Sequence, residues 1–143
     1  MKTKIKPADT AFSLCVRERS DWTCECCGKH YPSRGGVDAM GLHCSHFYGR
    51  ANRTVRWCGD NAAAHCFSCH KRLGSNPVDF SAWILKHLGE PLHEILIEKK
   101  NARMKITKIE EKEIAKYYRD QLKIMHDSRD DGVTGYLDFV SYQ

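Results

Sequence analysis

Apolar and polar positions alternate along this chain with periods that predict specific elements. Over 7–19 the period is helical: Phe12, Cys15, Val16 and Arg19 share one face, and Pro7 suits the first helical position. Phe12 and Cys15 are therefore expected in the core, and Ser20-Asp21 is expected to end the helix, with Trp22 over the cysteine pair that follows. Residues 38–47 predict a strand ending at His46, after a loop marked by Gly35-Gly36. Residues 62–65 predict a second strand, followed by a short helix over 66–73. Asn76, Pro77 and Asp79 carry cap, first-turn and dipole signals for a helix with Phe80, Trp83, Ile84, His87 and Leu88 on one face, and Gly89 stops it. From about Pro91 another helix should bury Leu92, Ile95 and Leu96. Thr107-Lys-Ile-Glu110 is a capping box opening a helix to about residue 126, with Ile114, Tyr118, Leu122 and Met125 on one stripe. That stripe is expected to lie on the preceding helices. Residues 127–132 read as a polar linker and 136–142 as a terminal strand or arm.

With 143 residues, these elements fit one α+β domain in two parts: 1–76, rich in cysteine, and 77–143, a helical extension with a tail packed on the first part. No apolar run approaches the ~18 residues that would span a bilayer. The basic N-terminus lacks the apolar stretch of a signal peptide, so a cytoplasmic protein is expected, in the host cytoplasm if a phage encodes it.

Eight cysteines change the picture. Without a secretion signal, metal thiolates account for them better than disulfides do. Only Cys24 and Cys27 within Cys24-Glu25-Cys26-Cys27-Gly28 have the C-x-x-C spacing, and Cys66 and Cys69 repeat it. Two such pairs predict one tetrahedral Zn²⁺ held by Cys24, Cys27, Cys66 and Cys69, with Gly28 reversing the chain and Cys26 left as a spare thiol. A closed four-thiolate site has no open position, so this metal would be structural. A three-cysteine site completed by His65 or His70 is the alternative.

The net charge of +5 is uneven. Residues 1–76 carry 12 Lys and Arg against 6 Asp and Glu, whereas 77–143 carry 11 against 12. A basic cysteine-rich half suits a polyanion, although a solvated basic surface would give the same charge. Arg50, Arg53 and Arg56, between Tyr48 and Trp57, can clamp phosphates from a loop, and Lys71 and Arg72 extend the set. The bland alternative is a solvated loop around a core Trp57.

Phosphodiester hydrolysis needs a base for water and positive charge on the scissile phosphate and leaving group. Histidine suits the first task, because its pKa lies near neutrality. A divalent ion suits the second. His46 ends a predicted strand, His70 sits on the helix anchored by the second cysteine pair, and Asn61 can orient an imidazole through its amide.

Ser45-His46, Asn61, Cys66-x-x-Cys69-His70 and the upstream Cys24-x-x-Cys27 resemble the HNH, or ββα-metal (His-Me finger), nucleases that carry a zinc staple. The resemblance implies a zinc-stapled ββα-metal core with an N-terminal helix and a C-terminal helical extension. It also implies His46 as general base, Asn61 as the residue positioning it, and His70 on a catalytic Mg²⁺ or Mn²⁺. Ser45-His46-Phe47-Tyr48, Val55-Arg56-Trp57, Gly74-Ser75-Asn76 and the late Thr107-x-Ile-Glu110 helix are similar, over about residues 10–128, to the phage lambda NinG (Rap) recombination endonucleases. That family implies cutting of branched intermediates such as Holliday junctions and D-loops. Two positions depart from the pattern. Ser45 stands where many HNH sites place an Asp or His metal ligand, which leaves His43 to orient His46 or assist the metal. His70 stands where NinG relatives tend to have Asn.

A metal-dependent endonuclease acting on branched DNA is thus expected, with no nucleotide cofactor and no membrane partner. Symmetric cuts in a junction would require a homodimer. The rival expectations are an HNH enzyme cutting linear duplex and a non-catalytic zinc-ribbon DNA-binding protein. The ribbon would need the four cysteines but not His46, Asn61 and His70.

Overall fold

Asp9 accepts a hydrogen bond from the Lys6 backbone N–H at 2.8 Å, and Pro7 occupies the first turn, so helix α1 (Pro7–Arg19) starts where the sequence places it. The structure, a computed structural model, describes residues 3–31 and 41–143; the predicted Gly35-Gly36 loop and the first part of the predicted 38–47 strand lie outside them. Ala8, Ala11, Phe12, Cys15 and Val16 form the buried face of α1. At its far end Arg19 is buried and donates to the carbonyls of Gly59 (3.1 Å) and Ala62 (2.7 Å), pinning the helix to the sheet.

That sheet is one antiparallel pair, β1 (Leu42–His46) and β2 (Ala62–Cys66), in the register Leu42 to Cys66 and His46 to Ala62. All five β2 residues are buried. Ala62 and Ala64 join the α1 core, where small side chains allow close approach, while His65 meets Phe80 and Trp83 of the helix over 77–88. Helix α2 (Phe67–Gly74) leaves β2 without a loop, because Cys66 is both the last strand residue and the helix N-cap.

Helices α3 (Pro77–Leu88) and α4 (Glu90–Ala102) meet at Gly89, whose φ of 84° is the left-handed geometry glycine tolerates. Asn76 takes the N-cap position of α3 but does not cap it. Its amide instead donates to the Arg72 carbonyl at 2.7 Å, closing the end of α2. Of the three residues expected in the α4 core, only Leu96 is buried, against Val55 and Cys58. Leu92 and Ile95 stay 43% exposed, because α4 meets the rest of the molecule along a narrow seam.

Helix α5 (Lys108–Asp130) is capped by Thr107, whose hydroxyl accepts from the Glu110 N–H. Its stripe of Ile114, Tyr118 and Met125 is buried as expected, but the partner is α1 rather than the preceding helices. Ile114, Ala115 and Tyr118 share one core with Phe12, Cys15 and Trp57, so the extension completes the first half's core. Of the two readings of 136–142, strand or arm, the structure shows an arm, with no strand partner among the described residues. Phe139 enters the core edge-on to Phe12 and Tyr118, and the Ser141 hydroxyl accepts from the Gly59 N–H.

Candidate active site and thiolate cluster

The two cysteine pairs fold as matched turns. The Cys27 N–H points at Cys24 Sγ and the Cys69 N–H at Cys66 Sγ, each at 3.5 Å. Gly28, at φ 81°, lets the first turn reverse. Glu25 ties that turn to β2: its N–H donates to the Ala64 carbonyl (2.8 Å) and its carboxylate accepts from the Ala64 N–H (2.7 Å). The sulfurs of Cys24, Cys27, Cys66 and Cys69 all lie within 4.8 Å of one another, and Cys27 Sγ to Cys66 Sγ is 3.7 Å. A regular tetrahedron of ~2.3 Å zinc–sulfur bonds has edges of roughly 3.8 Å, so this donor set fits Zn²⁺. Burial pushes the Cys24 thiol up, but donated N–H groups from Cys27, Cys66 and Cys26 outweigh it and bring it down to about 7, favouring the thiolate a metal needs. His65 does not join the cluster. Its ring lies 4.6 Å from that of Trp83, and His70 faces His43 instead, so among the described residues the cluster is all cysteine. Cys26 stays outside it, in contact with Arg72 at 3.2 Å.

Beside this cluster, β1, α1 and α2 enclose a cleft of about 480 Å³. His43, Cys44 and His46 line it from β1, His70 from α2, Arg50 from the loop between the strands, and Asp9, Ser13 and Arg17 from α1. His43 and His70 face each other with ring centroids 5.2 Å apart. Two imidazoles sharing one ion lie roughly 5 Å apart, given metal–nitrogen bonds near 2.1 Å. Both rings are biased toward the neutral, metal-competent form. Burial, then the Arg17 charge, lowers the pKa of His43; burial, then the His43 charge, lowers that of His70.

His46 sits deeper, against Phe12. Its Nε2 lies 3.1 Å from the Arg56 carbonyl, which can only accept, so Nε2 carries the proton and Nδ1 keeps its lone pair. Asn61, fully buried, holds the loop that supplies this carbonyl. Its amide donates to the carbonyls of Tyr48 (2.9 Å) and Val55 (3.1 Å), and its Oδ1 accepts from the Tyr48 N–H (2.8 Å). Asn61 therefore acts on His46 through the loop backbone, its side-chain hydrogen bonds going to Tyr48 and Val55 rather than to the imidazole.

Burial lowers the His46 pKa to about 4, only partly offset by the Arg56 carbonyl. An unfolded histidine titrates near 6.5, so between these values the unfolded chain binds more protons and stability falls as pH drops. His46 is expected to cost about 2 kcal/mol of stability by pH 5 relative to pH 7.5. Melting curves at both pH values check this: wild type should lose more than His46→Phe, which keeps the ring against Phe12.

The candidate arginines divide. Arg56 does not reach solvent phosphate. It is 1% exposed, and its guanidinium donates to both Asp9 oxygens (2.9 and 2.5 Å) and to the Lys4 carbonyl (2.8 Å). Arg53 is engaged by the Glu111 carboxylate and the Ile106 carbonyl. Arg50 alone of the three lines the cleft. Lys71 and Arg72 are exposed on α2, outside its walls. Sequence reasoning missed Arg17, whose guanidinium stacks 5.0 Å over Trp22 at the cleft edge. Its helical position carried no local signal of the cleft.

Among the described residues, five α-helices, a two-stranded antiparallel sheet and a four-cysteine cluster able to hold zinc define a small mixed α+β protein. The chain belongs to the Bacteriophage Lambda NinG protein family, whose model matches residues 2–128. No curated protein and no solved structure matches it. Among the described residues, no helix is long and apolar enough to cross a membrane.

Proposed function

We propose that this protein is a metal-dependent DNA endonuclease with an HNH-type, ββα-metal site, acting on branched recombination intermediates. The observation that carries the reading is the convergence of His43, His46 and His70 on one cleft, on a strand–strand–helix unit whose connecting loop is fixed by Asn61. His46 is the general base: it is neutral, its Nε2–H is held by a carbonyl, and Nδ1 can take a proton from water. His43 and His70 would hold the catalytic ion, which supplies charge stabilisation at the scissile phosphate and leaving oxygen. Arg50 and Arg17 flank them and can orient that phosphate.

The donor set bears on the choice of metal. Asp9, among the described residues the one carboxylate lining the cleft, is committed to Arg56. Two imidazoles without a free carboxylate suit a first-row transition ion better than Mg²⁺. Mn²⁺ should therefore support faster cutting than Mg²⁺. Paired cuts across a junction imply a homodimer on DNA, checked by light scattering of the complex.

The test is cleavage of a four-way junction and a matched linear duplex with each ion. Wild type should cut the junction preferentially. His46→Ala should lower the rate by about 10²–10⁴-fold with DNA binding intact, and His70→Ala should weaken the dependence on added metal. If wild type binds DNA but never cuts, and His46→Ala binds identically, the zinc-ribbon binding protein is the better account. Equal cutting of linear duplex would favour an HNH enzyme without branch preference.

A further inference from the structure

A second groove, of about 530 Å³, opens between the start of α1 and the N-terminal half of α5. Five of its lining residues are basic: Lys4, Lys6, Lys108, Lys112 and Arg119. Among the described residues Glu111 is the one acid in it, and that carboxylate already takes Lys6 Nζ at 2.9 Å and the Arg53 guanidinium. Lys4, Lys108, Lys112 and Arg119 are exposed, and among the described residues none has a carboxylate partner. The outer lysines of the same helix differ: Lys116 pairs with Asp120 and Lys123 with Asp127. Excess positive charge is thus concentrated in the groove rather than spread along α5.

The groove is also built rather than incidental. Its N-terminal wall is anchored to the core through the Lys4 carbonyl, which the buried Arg56 holds at 2.8 Å. Pro7, Ala8 and Ala115 also line it. It adjoins the histidine cleft, because Ile5, 63% exposed, lines both.

We propose that this groove binds the phosphodiester backbone of DNA beyond the cutting site, so that a strand leaving the histidine cleft crosses Ile5 and lies along Lys4, Lys108, Lys112 and Arg119. The assignment rests on the nuclease reading for the identity of the polyanion. The groove sets affinity and orientation, and its cations contact no reacting atom. Phosphate contacts of this kind release counterions and make binding salt-dependent, by a slope of about 0.9 per contact on duplex DNA.

The test compares two matched charge-neutralising pairs in the full chain. One is Lys108→Gln with Lys112→Gln, inside the groove; the other is Lys116→Gln with Lys123→Gln, on the same helix outside it. All four residues are exposed, and far-UV circular dichroism and melting temperature confirm that both variants fold. Binding of a fluorescein-labelled four-way junction is followed by anisotropy across a salt series, without added divalent ions. The groove pair should weaken binding at least tenfold near 0.1 M salt and lower the log–log salt slope by about 2. The outer pair should change the slope by less than half that. In the cleavage assay the groove pair should raise KM and leave kcat unchanged. Equal effects of the two pairs would overturn the groove assignment, as would an unchanged slope in the groove pair. Because binding is read without cleavage, wild-type protein that binds with the predicted slope but never cuts would refute the nuclease reading and leave the groove standing. Wild type that binds no DNA would overturn both.

Discussion

A Cys66→Ser variant should hold no zinc and lose its cooperative thermal transition. Cys66 has three tasks at one position: it ends β2, caps α2 and places a sulfur 3.7 Å from Cys27. Serine preserves the first two, since its hydroxyl is a preferred helix N-cap and can accept from the Cys69 N–H. The substitution therefore isolates the metal. Structural zinc contributes about 10–16 kcal/mol in zinc-finger peptides at neutral pH. That is comparable to the whole stability of an ordinary domain, about 5–15 kcal/mol. Loss of one thiolate should also release α2, and with it His70, from its place opposite His43. Metal analysis of the purified protein and a melting curve check this, with Cys26→Ser as the control, since Cys26 lies outside the cluster. A Cys66→Ser protein that retains one zinc per chain and melts like wild type would show that the cluster does not carry the fold.

The parts of this arrangement that could be read from sequence are those fixed by local spacing. The C-x-x-C pairs name their own partners because the turn geometry is contained in four residues, and Pro7, Gly89 and Thr107 mark helix ends through their own backbones and side chains. What could not be read depends on residues far apart in the chain. An arginine in a loop advertises charge but not its destination: Arg56 meets Asp9 across 47 positions, and Arg53 meets Glu111 across 58. The stripe on α5 required a partner without saying that α1, and not α3 or α4, would supply it. The same limit applies to Leu92 and Ile95, whose helical period matched Leu96 but whose helix touches the core along one line. At the candidate site, the histidines were legible as a set. That His43 pairs with His70, and that His46 leans on the Arg56 carbonyl, follows from the strand register and the fixed loop.

The buried Arg56–Asp9 pair gives the second large effect, and it separates a structural arginine from one proposed to bind phosphate. Arg56 is 1% exposed and Asp9 6%, and Asp9 also accepts from Trp57 Nε1 at 3.0 Å and from the Lys6 N–H. Burial alone would raise the Asp9 pKa, but the Arg56 hydrogen bond, then the Lys6 N–H, hold it below the usual carboxylate value, so the pair is ionised at neutral pH. Arg56→Met should therefore leave a buried carboxylate uncompensated and cost about 3–5 kcal/mol. Adding Asp9→Asn should recover part of that, because the remaining neutral amide needs no counter-charge. Arg50→Met should behave in the opposite way. Arg50 lines the cleft and, among the described residues, has no ion-pair partner, so its loss should change stability by less than about 0.5 kcal/mol while weakening DNA binding. Urea unfolding of the three variants beside wild type decides the matter. If Arg56→Met costs no more than Arg50→Met, the pair does not hold the loop as its geometry indicates. If the cost is as large as expected, Arg56→Met should also slow cleavage without touching DNA, because the loop that loses its anchor carries the carbonyl that fixes His46.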